Sequence, residues 1–113
     1  MSFGGVGNFD RTCWSAITLS PAIVAQNTTA EQTFTVMGLK STDTVISINK
    51  PTTQAGLGIV GYRVSADNTL AITFSNNTSS GITPTASQVY YILFGRPEKA
   101  LNGPDAVTNA AIF

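Results

Sequence analysis

Residues 69–75, TLAITFS, constrain the fold more than any other stretch of this chain. Leu70, Ile72 and Phe74 alternate with Thr69, Ala71, Thr73 and Ser75. Successive side chains of a strand point to opposite faces, so this period of two is the mark of a half-buried strand and not of a helix. Ser65-Ala66-Asp67-Asn68, just before it, is short and rich in turn formers. It is expected to close a β-hairpin with the run at 57–64. Within that run Gly58 and Gly61 either weaken regular pairing or mark a bulge or the close approach of another backbone. Further upstream, residues 44–49 read as a strand with Ile46 and Ile48 on its apolar face and Val45, Ser47 and Asn49 on the other. Asn49-Lys50-Pro51 ends that strand, because proline has no N–H for a ladder and restricts the residue before it. Residues 52–56 follow as a loop.

The flanking sequence adds strands of the same kind. In 12–25, Pro21 interrupts a run containing Trp14, Ile17, Leu19, Ile23 and Val24, which leaves two short strands or one edge strand with a break. Residues 26–30 read as a polar turn, and 31–37 as a strand with Phe34 and Val36 on one face. NNTSSGITPTAS at 76–87 reads as an exposed loop, either a plain connection or a tip that touches a neighbouring surface. QVYYILFG at 88–95 is apolar on both sides, with Val89, Tyr91 and Leu93 on one face and Tyr90, Ile92 and Phe94 on the other. One face belongs to a core and the other is a candidate subunit interface.

At 113 residues the chain is expected to form one domain. The reading is all-β: a small β-sandwich or jelly-roll-like barrel over residues 14–95, with an extended N-terminal arm, 1–13, and a C-terminal arm, 96–113. Glycines alternate with Phe3, Val6 and Phe9 at the start, which suits a frayed terminus or an arm docked on a neighbouring subunit; Phe3, Phe9 and Trp14 favour the arm. A short helix from Asp105 fits the last segment. Ile112 and Phe113 either close the domain's own core or cross to another subunit. The candidate protein-interface residues are therefore Phe3, Phe9, Trp14, Tyr90, Ile112 and Phe113.

Chemistry is nearly absent from the sequence. There is no histidine, which removes the commonest general base and metal ligand. Cys13 stands alone, so neither an intrachain disulfide nor a cysteine-based metal site is available. The acids Asp10, Glu31, Asp43, Asp67, Glu98 and Asp105 are scattered, without the close pair a glycosidase needs; Asp43 and Asp67 read as turn residues. Gly56-Leu57-Gly58-Ile59-Val60-Gly61 has the GxGxxG spacing, yet a dinucleotide site also needs a strand before it and a helix after it, and Tyr62-Arg63-Val64 favour strand. The expectation is a non-enzyme with no cofactor and no metal. Charged residues make up only 11% of the chain, against about 25% in ordinary globular proteins, and six basic residues balance six acidic ones. No basic patch suggests direct nucleic-acid binding. No run approaches the roughly 20 apolar residues of a membrane helix, and the N-terminus lacks the basic and apolar regions of a secretory signal. Synthesis in a cytoplasm is expected.

Residues 36–76 carry a resemblance. Gly38-Leu39 before Asp43, then Asn49-Lys50-Pro51, Ala55-Gly56-Leu57-Gly58-Ile59, Arg63-Val64-Ser65 and Thr69-Leu70-Ala71-Ile72 form a succession that resembles a module of small tailed-bacteriophage virion proteins, notably head decoration or cement proteins. Related modules also occur in tail, fibre and baseplate components. The resemblance implies a structural protein of the virion that binds the outer surface of the head through the major capsid protein, as a homotrimer, and stabilises the shell. The alternative it leaves open is a receptor- or carbohydrate-binding module of a tail or fibre, using residues such as Tyr62, Asn76 and Asn77.

Overall fold

The computed structural model describes residues 9–97 of the chain. They form six strands: β1 (Phe9–Leu19), β2 (Thr28–Thr35), β3 (Thr44–Asn49), β4 (Leu57–Ala66), β5 (Thr69–Asn76) and β6 (Gln88–Pro97). All pairings are antiparallel and make two three-stranded sheets, ordered β1-β6-β3 and β2-β5-β4. Apolar residues from the two sheets share one core, so the all-β, sandwich-like expectation holds. Phe3, Ile112, Phe113 and the helix expected from Asp105 lie outside the described residues. β1 begins at Phe9, inside the segment 1–13 assigned to an arm, because Phe9, Arg11, Thr12 and Cys13 have partners on β6.

β5 behaves as its alternation dictates. Leu70, Ile72 and Phe74 are fully buried, and on this central strand they face inward together with Phe34 of β2 and Ile59 and Val64 of β4. The opposite face carries Thr69, Thr73 and Ser75 beside Thr29, Thr33 and Thr35. There Arg63 of β4 reaches across to Glu31 of β2 in a two-pronged ion pair of 2.9 and 3.0 Å. The strand expected at 31–37 starts earlier than its apolar residues indicate, since Thr28 and Thr29 pair with Asn76 and Ser75.

Bulges set the parity of the other strands. On β3, Val45 pairs with Phe94 and Ser47 with Leu93, so Ile46 is an extra residue in the ladder. Inserting one residue moves everything after it to the opposite face. The inward pair is consequently Val45 and Ile48, and Ile46 is 37% exposed, which corrects the expected faces of Ile46 and Val45 while Ile48 faces inward as expected. On β4 the register shifts at Val60, next to Gly61, and again at Ser65. This matches the bulge alternative for the glycine-rich run.

The turn between β4 and β5 is Asp67-Asn68, with Asn68 at φ +60°, a left-handed conformation that asparagine tolerates. Its tip is held by the chain at 36–41: Val36 N–H donates to the Asn68 carbonyl (2.9 Å), Asn68 N–H to the Leu39 carbonyl (2.9 Å), Gly38 N–H to Asn68 Oδ1 (2.8 Å) and Ser41 N–H to Asp67 Oδ1 (2.8 Å). The same segment reaches the other sheet through Asp43. Its carboxylate accepts the Lys40 N–H at 2.9 Å and both the Nε and the terminal nitrogen of Arg96 at 2.8 Å, while Arg96 also donates to the Gly38 carbonyl at 2.9 Å. Residues 36–43 thus tie the β4-β5 hairpin to β6.

The 76–87 stretch is largely exposed, as expected, and is anchored at its first residue. Asn76, 1% exposed, donates to the Val24 and Ser80 carbonyls (3.0 and 2.8 Å) and accepts from the Thr78 N–H and hydroxyl (2.9 and 2.7 Å). Ile82 and Val24 exchange backbone bonds of 2.8 and 3.0 Å, which gives the sequence after Pro21 a bridge instead of a second strand. Gly56 sits beneath this loop at φ +81°, where a Cβ would collide with the Thr78 side chain. Gly56→Ala is expected to cost about 1–3 kcal/mol, readable as a lower urea midpoint with an unchanged slope.

Candidate interaction surface

The two outer faces of the sandwich differ in chemistry. That of β2-β5-β4 is hydroxyl-rich and carries the Arg63 and Glu31 pair. The outer face of β1-β6-β3 is set by register: Thr12 lies opposite Gly95, Trp14 opposite Leu93, Ala16 opposite Tyr91 and Thr18 opposite Val89, with Thr44, Ser47 and Asn49 completing it on β3. None of these residues is charged. Trp14 and Tyr91 are two positions apart diagonally, within reach of aromatic side chains, and their rings stack at 5.7 Å between centroids with 19° between planes. Trp14 is nevertheless 61% exposed, and Tyr91 and Val89 are 39% and 37% exposed. Phe9, 47% exposed, extends this apolar strip, its ring lying where a Cβ on Gly95 would come within 2.6 Å.

Of the six candidate interface residues, Phe9 and Trp14 fall on this face. Tyr90 does not: it is fully buried among the core residues. Its hydroxyl has no hydrogen-bond partner among the described residues, and burial raises its pKa above the ordinary phenol value. The exposed aromatic of β6 is Tyr91. Nothing local distinguishes the two, since Val89, Tyr91 and Leu93 are as apolar as Tyr90, Ile92 and Phe94; the choice is made by which face meets the second sheet. The cluster of Tyr62, Asn76 and Asn77 is not assembled as a surface either. Asn76 is buried with its amide fully engaged, and the Tyr62 hydroxyl donates to the Ile46 carbonyl at 3.4 Å.

A second feature lies on the inner side of β1. A cleft of about 230 Å³ opens between β1 and the 36–43 segment, with Cys13, Ser15, Leu39 and Phe94 among its lining. At its rim Arg96 is committed to Asp43, whose side chain is 2% exposed. The hydrogen bonds from Arg96 hold the Asp43 carboxyl below its ordinary value against the opposing effect of burial. The GxGxxG residues form no phosphate cradle: β4 runs on from Leu57 to Ala66, so no helix N-terminus follows the glycines.

Compared with known proteins, the chain matches no family model, no curated protein and no solved structure.

Proposed function

We propose that this chain is a structural protein of a tailed-bacteriophage virion, a decoration or cement protein that assembles as a homotrimer, binds the major capsid protein on the outside of the head and stabilises the shell. The observation that supports it, beside the resemblance in residues 36–76, is the outer face of β1-β6-β3 from Thr12 to Thr18, uncharged among the described residues, with Trp14 and Tyr91 exposed upon it. Exposed aromatics are the usual anchors of protein interfaces, and a face without charges loses little hydration when covered. The mechanism is mechanical: added buried interface, repeated over many copies, favours the assembled shell by mass action and multivalency. Quantitative mass spectrometry of purified virions tests the assignment. A copy number comparable to that of the capsid protein is expected; absence from the particle would overturn it. Trp14→Ala is expected to lower shell occupancy at least about 30-fold, the equivalent of a 2 kcal/mol anchor, without lowering the melting temperature, because the ring points away from the core.

The exposed Trp14 ring, on a face that also carries Thr12, Thr18, Ser47 and Asn49, also favours a second reading, a carbohydrate-binding module of a tail or fibre. Trp14 is the sole tryptophan. Saturable quenching of its fluorescence by a glycan, with low copy number per virion, would select this reading.

A further inference from the structure

We propose that Tyr91 is a positioning residue of the outer face: stacked on Trp14, it fixes the indole in the orientation in which the shell meets it, and so acts through Trp14. The inference rests on the reading of this face as the surface that binds the shell.

Burial alone does little to hold Trp14. Its residue is 61% exposed, and exposed side chains change rotamer within nanoseconds. Register fixes its neighbours on the face: Thr12 and Ala16 on its own strand, Leu93 directly opposite on β6, and Gly95 and Tyr91 on the two diagonals. A large ring reaches such diagonal positions. Along β6 the indole thus has two directions, toward Gly95 or toward Tyr91. The first is occupied, because the Phe9 ring lies over Gly95, where a Cβ would come within 2.6 Å of it. The second is open, because the residue opposite Tyr91 is Ala16, which carries only a methyl group. The indole takes that course, with 5.7 Å between ring centroids and 19° between planes. This separation is within the range that aromatic pairs prefer.

Tyr91 is the better held of the two rings. It belongs to the central strand of its sheet, with Ala16 of β1 on one side and Asn49 of β3 on the other, and it is 39% exposed against 61% for Trp14. A ring fixed before contact presents its area without losing rotamer freedom on binding. Aromatic anchors serve recognition surfaces best in this rigid form. Without Tyr91 each encounter would first have to immobilise the indole.

Trp14 is the sole tryptophan, so its time-resolved fluorescence anisotropy reads the freedom of the indole in the protein alone. Tyr91→Ala is expected to raise the amplitude of the fast depolarisation at least about twofold, whereas Tyr91→Phe, which keeps the ring, should stay at the wild-type level. Titration onto heads assembled from the major capsid protein alone reads the consequence. Tyr91→Ala should bind about fivefold more weakly, the loss for one large side chain that must be immobilised on contact, and Tyr91→Phe should bind as the wild type does. Added to Trp14→Ala, Tyr91→Ala should weaken binding no further. Circular dichroism checks that each variant keeps its β structure. Equal fast amplitudes in the wild type and Tyr91→Ala would overturn the proposal. Additive losses in the double variant would overturn it too, by making Tyr91 a contact in its own right. Binding untouched by Trp14→Ala would instead overturn the reading of the face, and the anisotropy would still decide whether Tyr91 fixes the indole.

Discussion

Phe74→Ala should destabilise the domain by about 3–5 kcal/mol, the range for removing a large aromatic side chain from a close-packed interior. Phe74 is on the central strand of its sheet and fully buried. It lies opposite Ala30 on β2 and Ile59 on β4, so neither neighbour closes the hole without leaving its own ladder. For a domain of this size the loss corresponds to a fall in melting temperature of at least about 12 °C. Val60→Ala supplies the contrast. Val60 is the bulged residue of β4, 62% exposed, and its truncation should stay within about 0.5 kcal/mol. A Phe74→Ala effect as small as that of Val60→Ala would mean that β5 turns its other face to the core.

Asp43→Asn should cost about 2–4 kcal/mol near neutral pH, because it removes the countercharge of a guanidinium and leaves its donors facing a neutral amide. Arg96 is about a third exposed at 32%, and water compensates part of the loss, which places the effect below that of a fully enclosed pair. The cost should also depend on pH in a defined direction. Hydrogen bonds from Arg96, then the Lys40 N–H and the nearby positive charges, lower the folded-state pKa of Asp43 below its ordinary value of 3.8, with burial acting against them. As pH falls, the unfolded chain binds this proton before the folded one does. The contribution is therefore complete well above 3.8, shrinks as pH drops through that value and is gone below the folded-state pKa. Urea melts of the wild type and of Asp43→Asn between about pH 7 and about pH 3 should converge on acidification. A gap that stays constant across that range would show that the carboxylate's charge contributes nothing. Glu31 is lowered in the same direction by Arg63, yet this pair is exposed on the surface and adds little to the acid response.

Asp43 also shows where a reading of the chain stops. As a turn residue it was legible, and it does accept the Lys40 N–H three positions back. Its pairing with Arg96, 53 positions away, was not, because nothing near either residue encodes the other. The interaction surface divides in the same way. Trp14 stood out as an aromatic near an edge strand, and it is exposed. The β6 aromatic named for the interface was Tyr90, whereas the exposed one is Tyr91, since an apolar run with two equivalent faces carries no local sign of which one is inward. The hydroxyl- and amide-rich 76–87 segment was read as an exposed loop, and most of its residues are exposed; what composition did not show is how its first residue holds it. That anchor, Asn76 at the end of β5, is buried, with its hydrogen bonds satisfied by the Val24 and Ser80 carbonyls and by the N–H and hydroxyl of Thr78.

What the sequence determined by itself was everything carried by short-range backbone geometry. The alternation at 69–75 made β5, the asparagine at 68 permitted a left-handed turn, and Pro51 ended β3. The tertiary structure decided parity and partnership. One extra residue at Ile46 brought Val45 inward and left Ile46 exposed, and the meeting of two sheets chose Tyr90 for the core and left Tyr91 beside Trp14. The physical reason is that side-chain alternation is a property of a single strand, whereas register, bulges and burial exist only once strands distant in sequence lie side by side.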